Sequence, residues 1–399
     1  MSTTTEVVVV GGGYAGVTAA NRMSGRRDVA VTLVDPHPAF VERIRLHQLA
    51  ARTGDASVPF DRVLSPRVRR VQDTVTLIDR ESRTVASASE GAIGYDHLVL
   101  AVGSGAADGG VPGVREHAHP IATWDSAARL RAALDGLRRG DAVTIVGAGP
   151  AGIETAAELA ERDFRVTLVC GSALGPSLHP RTRRTVRDRL ARLGTTVLEG
   201  EGARAVAVEA DAVHLADGRA VPGVVTVWAA GFGVPDLADR SGLAVDALGR
   251  LRTDETLTSV DDERVVGAGD AVTPSDLPFR MSCQAAGQLG GGAADTVLSR
   301  IAGRTPEPVV VGFAGLCLSL GRRAGVMQLE HRDDTPRGVQ IAGSAGGALK
   351  ELICRGTVAG LQWEARRPGS TRAPRFVADP GRRRLLEERR SGATEAARG

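Results

Sequence analysis

One architecture is written twice in this chain. A run of valines at residues 6–10 leads into Gly11-Gly12-Gly13-Tyr14-Ala15-Gly16, then a helical stretch at 17–24 and an apolar run at 29–34 that stops at Asp35. An apolar run at 142–146 leads into Gly147-Ala148-Gly149-Pro150-Ala151-Gly152, a helical stretch at 153–162 and an apolar run at 165–169 that stops at Cys170. The first glycines of the two turns lie 136 residues apart. Short continuous apolar runs read as buried parallel strands. The glycine spacing divides the work within each turn. The first glycine permits the tight turn, the second lets backbone approach a diphosphate, and the third lets helix pack on strand, while the helix N-terminus aims free N–H groups at phosphate. A purely structural turn is the alternative for any single motif. In the first copy the preceding strand, the following helix and Asp35, 19 residues after Gly16, agree on a dinucleotide whose ribose hydroxyls the carboxylate accepts from. Two copies imply two nucleotides in two domains, in keeping with a length of 399 residues.

Composition narrows the class further. Aromatic residues are 3%, so the cores are built from Val, Leu, Ile and Ala. The formal charge of +3 comes almost wholly from arginine, and Lys350 is the only lysine. Such a bias reads as genome composition, so no nucleic-acid partner is expected. Cys170, Cys283, Cys317 and Cys354 are scattered and the eight histidines show no ligand spacing, so no metal is expected and a reducing cytoplasm suits the chain. The polar N-terminus has no signal-peptide pattern, and no window reaches 18 uninterrupted apolar residues, so no transmembrane segment is expected. Peripheral contact at the inner face of a membrane stays open.

A third signal, Arg264-Val265-Val266-Gly267-Ala268-Gly269-Asp270-Ala271, runs a strand into a glycine turn that ends on a carboxylate. With it, residues 6–330 resemble the two-dinucleotide flavoproteins of the pyridine nucleotide-disulfide oxidoreductase superfamily. The resemblance implies an α/β fold with two Rossmann-like dinucleotide-binding domains and a small C-terminal α+β domain. The FAD-binding domain is expected at 1–118 and 249–308, the inserted NAD(P)H-binding domain at 119–248, the C-terminal domain at 309–365 and a mobile, Arg-rich tail at 366–399. FAD is expected at Gly11, Gly13, Tyr14, Ala15, Gly16 and Asp35, with Val75 at the adenine, Ala101 and Gly103 in the strand and turn that return the chain, Gly269 and Asp270 at the ribityl chain, and Arg43 at the flavin. NADH or NADPH is expected at Gly147, Gly149, Pro150, Ala151, Gly152 and Cys170, with Ala230 and Gly231 as the counterpart of Ala101 and Gly103.

The disulfide reductases of that superfamily carry a cysteine pair after the first acid. Residues 36–52 hold no cysteine, so electrons leave by another route. Met281-Ser282-Cys283-Gln284-Ala285-Ala286-Gly287-Gln288 resembles the helix start beneath the flavin in type II NADH:quinone oxidoreductases, and Gly312-Phe313-Ala314-Gly315 and Ser319-Leu320-Gly321-Arg322 resemble their C-terminal domain. The resemblance implies an FAD-dependent NAD(P)H oxidoreductase that passes hydride to flavin and then electrons to a quinone or quinone-like small acceptor. Glu154 and Gln284 are its expected catalytic residues, and the C-terminal domain is a candidate homodimer interface. The alternatives are a reductase of ferredoxin or rubredoxin type and a flavin-bound NAD(P)H sensor with little turnover. Structural readings stand beside the catalytic ones: Glu154 as an acid favoured by the helix dipole, Gln284 as a cap, Cys283 and His47 as core residues. Cys170 stands where an acid would hold the 2′-hydroxyl of NADH and repel the 2′-phosphate of NADPH. With small Gly171 and Ser172 beside it and Arg181, Arg183 and Arg184 after it, relaxed donor specificity or a preference for NADPH is expected.

Overall fold

Two five-stranded parallel sheets repeat the order of four strands and differ in the fifth, which comes last in the chain in one sheet and first in the other. In the first, Val265–Gly267, His97–Leu100, Thr5–Val10, Val29–Val34 and Val68–Val71 lie side by side; in the second, Ala118–Pro120, Val225–Trp228, Ala142–Val146, Arg165–Val169 and Thr196–Leu198 do. This is a computed structural model that describes residues 4–372 and 378–396; residues 1–3 of the polar N-terminus and 373–377 and 397–399 of the expected tail lie outside it. The two central pairs run in matching register, Thr5 to Val10 against Val29 to Val34 and Ala142 to Val146 against Arg165 to Val169. Both faces of the central strands are covered, so these are largely apolar rather than alternating: Val7 to Val10 and residues 143–146 are all buried, whereas the edge strand Val68–Val71 exposes Arg69.

The helix Tyr14–Met23 is buried along its whole length, between the first sheet and the helix Cys283–Ile301. Small residues make that contact close. A Cβ on Gly290 would lie 2.2 Å from the Ala15 carbonyl oxygen, which explains the Gly290-Gly291-Gly292-Ala293-Ala294 run that local helix propensity alone disfavours. Each sheet carries a three-stranded antiparallel appendage, Val75–Asp79 with Thr84–Ser87 and Gly91–Gly94 on the first, and Ala205–Val208 with Ala212–Leu215 and Ala220–Pro222 on the second. Where the chain passes between the two sheets, Gly105–Ala106 and Phe232–Gly233 pair antiparallel. A sheet of Gly315–Ser319, Gly325–Glu330 and Pro336–Ala342 follows, then the helix Gly343–Arg366.

Described residues beyond Arg366 make contacts with the rest of the chain. Buried Arg22 pairs with Glu364 at 2.9 Å, and Glu364 accepts the Gly369 and Thr371 N–H groups, so the chain curls around this carboxylate. Further on, a helix spans Arg382–Ala396, and Arg382 makes a two-bond pair with Glu255 while lying 4.0 Å over the Phe279 ring. Among the described residues, no helix is long and apolar enough to cross a membrane.

Candidate active site

The two glycine turns open on the same backbone bond. Gly11 donates its N–H to Val34 O at 2.8 Å and Gly147 donates to Val169 O at 2.9 Å. Their φ angles, +106° and +109°, are open to glycine and strained for any other residue. A Cβ on Gly11 would lie 2.3 Å from Ala101 O, and one on Gly147 would lie 2.6 Å from the Ala229 carbonyl, next to Ala230 and Gly231. Gly16 and Gly152 are each packed so that a Cβ would come within 1.8 Å of the first glycine's carbonyl oxygen. At Gly13 and Gly149, by contrast, a Cβ would meet nothing within 4 Å. These two residues are the N-caps of helices Tyr14–Met23 and Pro150–Ala160, and neither helix end has a side-chain cap. Each cradle thus offers uncapped N–H groups, the positive end of a helix and open space, which fits a dinucleotide diphosphate.

The remaining residues nominated for FAD arrange around the first cradle. Tyr14 is buried with its ring edge-on to Phe40 at 5.0 Å. A Cβ on Gly269 would come within 2.9 Å of the Ala15 side chain, so the first turn and the third glycine motif touch. Asp35 ends its strand and accepts the Gly12 and His37 N–H groups at 2.6 and 2.8 Å, which orients its carboxylate beside the turn. Asp270 accepts from Ser104 Oγ at 2.7 Å and from Arg43 at 3.2 Å, and Arg43 also donates to Ser104. Three separate motifs therefore meet at one carboxylate; Ser104 was not nominated from sequence. Gly103 adjoins this triad, and Val75 opens its antiparallel sheet in the first core.

Glu154 lies in the second turn of its helix, beyond the reach of the dipole at the N-terminus, and meets Ser319 of the three-stranded C-terminal sheet and Lys350 of the helix after it. Its Oε1 meets Lys350 Nζ at 2.9 Å and accepts the Ser319 N–H at 2.9 Å, while Oε2 lies 3.7 Å from His47 Nδ1. Lys350 also donates to Cys317 O at 3.3 Å. All three side chains are buried. Burial disfavours the Glu154 carboxylate, but the Lys350 ammonium, with the Ser319 N–H, outweighs it and leaves its pKa lowered. Burial likewise disfavours the Lys350 ammonium, and Glu154 outweighs it, so Lys350 stays charged far into alkali. Burial, joined by Lys350, Arg322 and Arg45 against Glu154, pushes His47 down to about 4. Lys350 was missed as a site residue, although a lone lysine in an arginine-rich chain was a visible signal. The four cysteines are free, and burial raises the pKa of each.

Gln284 is placed by other bonds. It follows the first residue of helix Cys283–Ile301 and donates to Gly312 O at 3.3 Å, while Gln288 donates to the same carbonyl and accepts the Gly312 N–H. Ser282, which accepts the Ala285 N–H at 3.2 Å, is the cap of that helix, so Gln284 is not.

His47 sets a pH dependence. Folded, it titrates near 4; unfolded, near 6.5, so the unfolded chain binds more protons between these values. The stability it contributes is complete above about pH 6.5 and is lost as pH falls toward 4, a total of about 3 kcal/mol. His47→Gln should therefore flatten the fall in melting temperature between pH 7 and pH 5, measured calorimetrically. A parent and variant with parallel profiles would refute this account.

Fold and cradles together define an oxidoreductase of the two-dinucleotide α/β class. The family model described as pyridine nucleotide-disulphide oxidoreductase matches residues 5–290, and the chain belongs to that family. It is 32% identical to the NADH dehydrogenase-like protein Rv1812c of Mycobacterium tuberculosis over 74% of this chain and 80% of that protein. It is 26% identical to a type II NADH:quinone oxidoreductase of Staphylococcus aureus over 87% of this chain and 94% of that one. The structure of NDH2 from Plasmodium falciparum in complex with NADH superposes with a TM-score of 0.76 at 14% identity, covering 92% of this chain and 99% of that one.

Proposed function

We propose that the protein carries electrons from NAD(P)H, held at the second glycine cradle, through FAD, held at the first, to a quinone or quinone-like small acceptor. The observation that carries this reading is the buried Glu154–Lys350 pair, which joins the helix of the second cradle to the C-terminal domain. FAD, when bound, supplies the two-electron exchange between donor and acceptor. The cradles orient the two ligands through backbone N–H groups. The Arg43–Ser104–Asp270 triad would hold the ribityl hydroxyls. Lys350 presents a fixed positive charge in a dry site, where such a charge stabilises developing negative charge far better than in water. Glu154 holds that ammonium in place, and the helix start at Gln284 borders the acceptor side. The name of the Staphylococcus aureus relative supports a quinone as acceptor. The free thiols suit a reducing cytoplasm, and the absence of any residue 36–52 cysteine leaves a small acceptor as the simplest outlet.

The test is anaerobic stopped-flow reduction of the purified protein by NADH and NADPH, then mixing with menadione and with a ferredoxin. Rapid reoxidation by menadione and none by ferredoxin is expected. Turnover with ferredoxin alone would make the protein an iron–sulfur reductase, and a reduced protein that neither acceptor reoxidises would make it a sensor.

A further inference from the structure

The internal repeat allows each position of the second cradle to be compared with its counterpart in the first. In the first sheet Val34 pairs with Val71, so Asp35 lies beside Gln72; in the second Val169 pairs with Leu198, so Cys170 lies beside Glu199. The backbone agrees: Asp35 donates its N–H to Val71 O and Cys170 donates to Leu198 O. The carboxylate missing at Cys170 is therefore present one strand over.

Glu199 is built in. Its Oε1 accepts the Leu174 N–H at 2.8 Å and its Oε2 accepts from Arg187 at 2.6 Å. Gly200 donates to Ser172 O at 2.9 Å and Gly171 bridges to Ala203, so the loop after Cys170 is pinned against the strand end that carries Glu199. Arg187 belongs to helix Pro180–Arg192, which follows that loop. Of the arginines nominated from sequence, Arg183 is committed to the Gly175 and Leu178 carbonyls and Arg181 to the Gly338 carbonyl. Arg187, which was not nominated, faces the carboxylate, and both side chains of the pair reach solvent, at 45% and 29% exposure. Each Glu199 oxygen keeps a lone pair for a further donor.

We propose that Glu199 and Arg187 are the pair that discriminates between NADH and NADPH. This rests on the reading of the second cradle as the NAD(P)H site. With the pair closed, Glu199 accepts from the adenosine ribose hydroxyls of NADH in place of the absent acid at residue 170. A 2′-phosphate must instead draw Arg187 away from Glu199 and tolerate the carboxylate beside it. Both donors are accepted and NADH is favoured, which reverses the expectation drawn from Cys170 alone.

The test measures binding without hydride transfer. ADP-ribose and its 2′-phosphorylated form are titrated calorimetrically into the full-length, FAD-loaded protein, its Glu199→Gln and its Arg187→Met variants. The parent should bind ADP-ribose more tightly. Glu199→Gln, which can keep the Leu174 bond, should move the affinity ratio about tenfold toward the phosphorylated ligand, and Arg187→Met about tenfold the other way, the scale of gaining or losing one charged contact at a partly exposed site. A ratio within about twofold of the parent in either variant overturns the assignment of the pair. A parent that binds neither ligand removes the NAD(P)H reading of the second cradle itself, and the two failures are thus distinct.

Discussion

Gly152→Ala should yield a yellow protein that NAD(P)H reduces about a hundredfold more slowly than the parent. The new Cβ would sit 1.8 Å from Gly147 O and 2.9 Å from Gly147 C, both backbone atoms that cannot swing aside. The helix Pro150–Ala160 must then retreat by an ångström or more, and its N-terminal N–H groups leave the place where they meet a diphosphate. Misplacement on that scale costs about a hundredfold in rate. FAD stays because its own cradle, around Gly16, belongs to the other sheet. Gly149→Ala offers a control of different kind. Its Cβ meets no protein atom, so the fold should be untouched, and any loss of reduction arises from space taken from the ligand. Flavin absorbance of the isolated variants, melting temperature and the stopped-flow rate of reduction read the three properties separately. Reduction of Gly152→Ala at the parent rate would dismiss the second cradle as the donor site.

Lys350→Met should strongly destabilise the fold. It leaves the Glu154 carboxylate buried with the Ser319 N–H and a neutral His47, at a cost of about 3–5 kcal/mol. Part of that cost is relieved if Glu154 takes up a proton, so the variant should be relatively less impaired at low pH. Combining Lys350→Met with Glu154→Gln removes both charges and should restore most of the loss in melting temperature. The coupling in that double-mutant cycle is the diagnostic quantity. Two single changes whose effects simply add would mean that the pair is not the unit described. Flavin reoxidation by menadione should remain slow in the double variant even where stability returns, since the fixed positive charge is gone.

Most of the site was legible wherever it is local. The glycine turns, Asp35 and the third motif lie within short stretches whose spacing dictates strand, turn and helix, and the duplicated pattern implied the duplicated sheet. The small-residue run at Gly290 to Ala294 was not read as a helix contact, because its meaning lies in the Ala15 backbone it touches. Ser104 follows directly on Gly103, yet its role appears only where Arg43 and Asp270 meet it. The partners of Arg382 were illegible for the same reason: Glu255 and Phe279 lie far off in the chain, and nothing nearby in the sequence announces them.

From the order of residues alone came the two parallel units, their cradles and the family to which they lead, because hydrogen bonding within a strand–turn–helix depends on neighbours along the chain. Folding settled the charges. Which cation faces Glu154, which acid stands beside Cys170 and where the basic end docks all depend on pairs brought together from distant segments, since electrostatic partners are chosen by distance in space and by the water excluded between them.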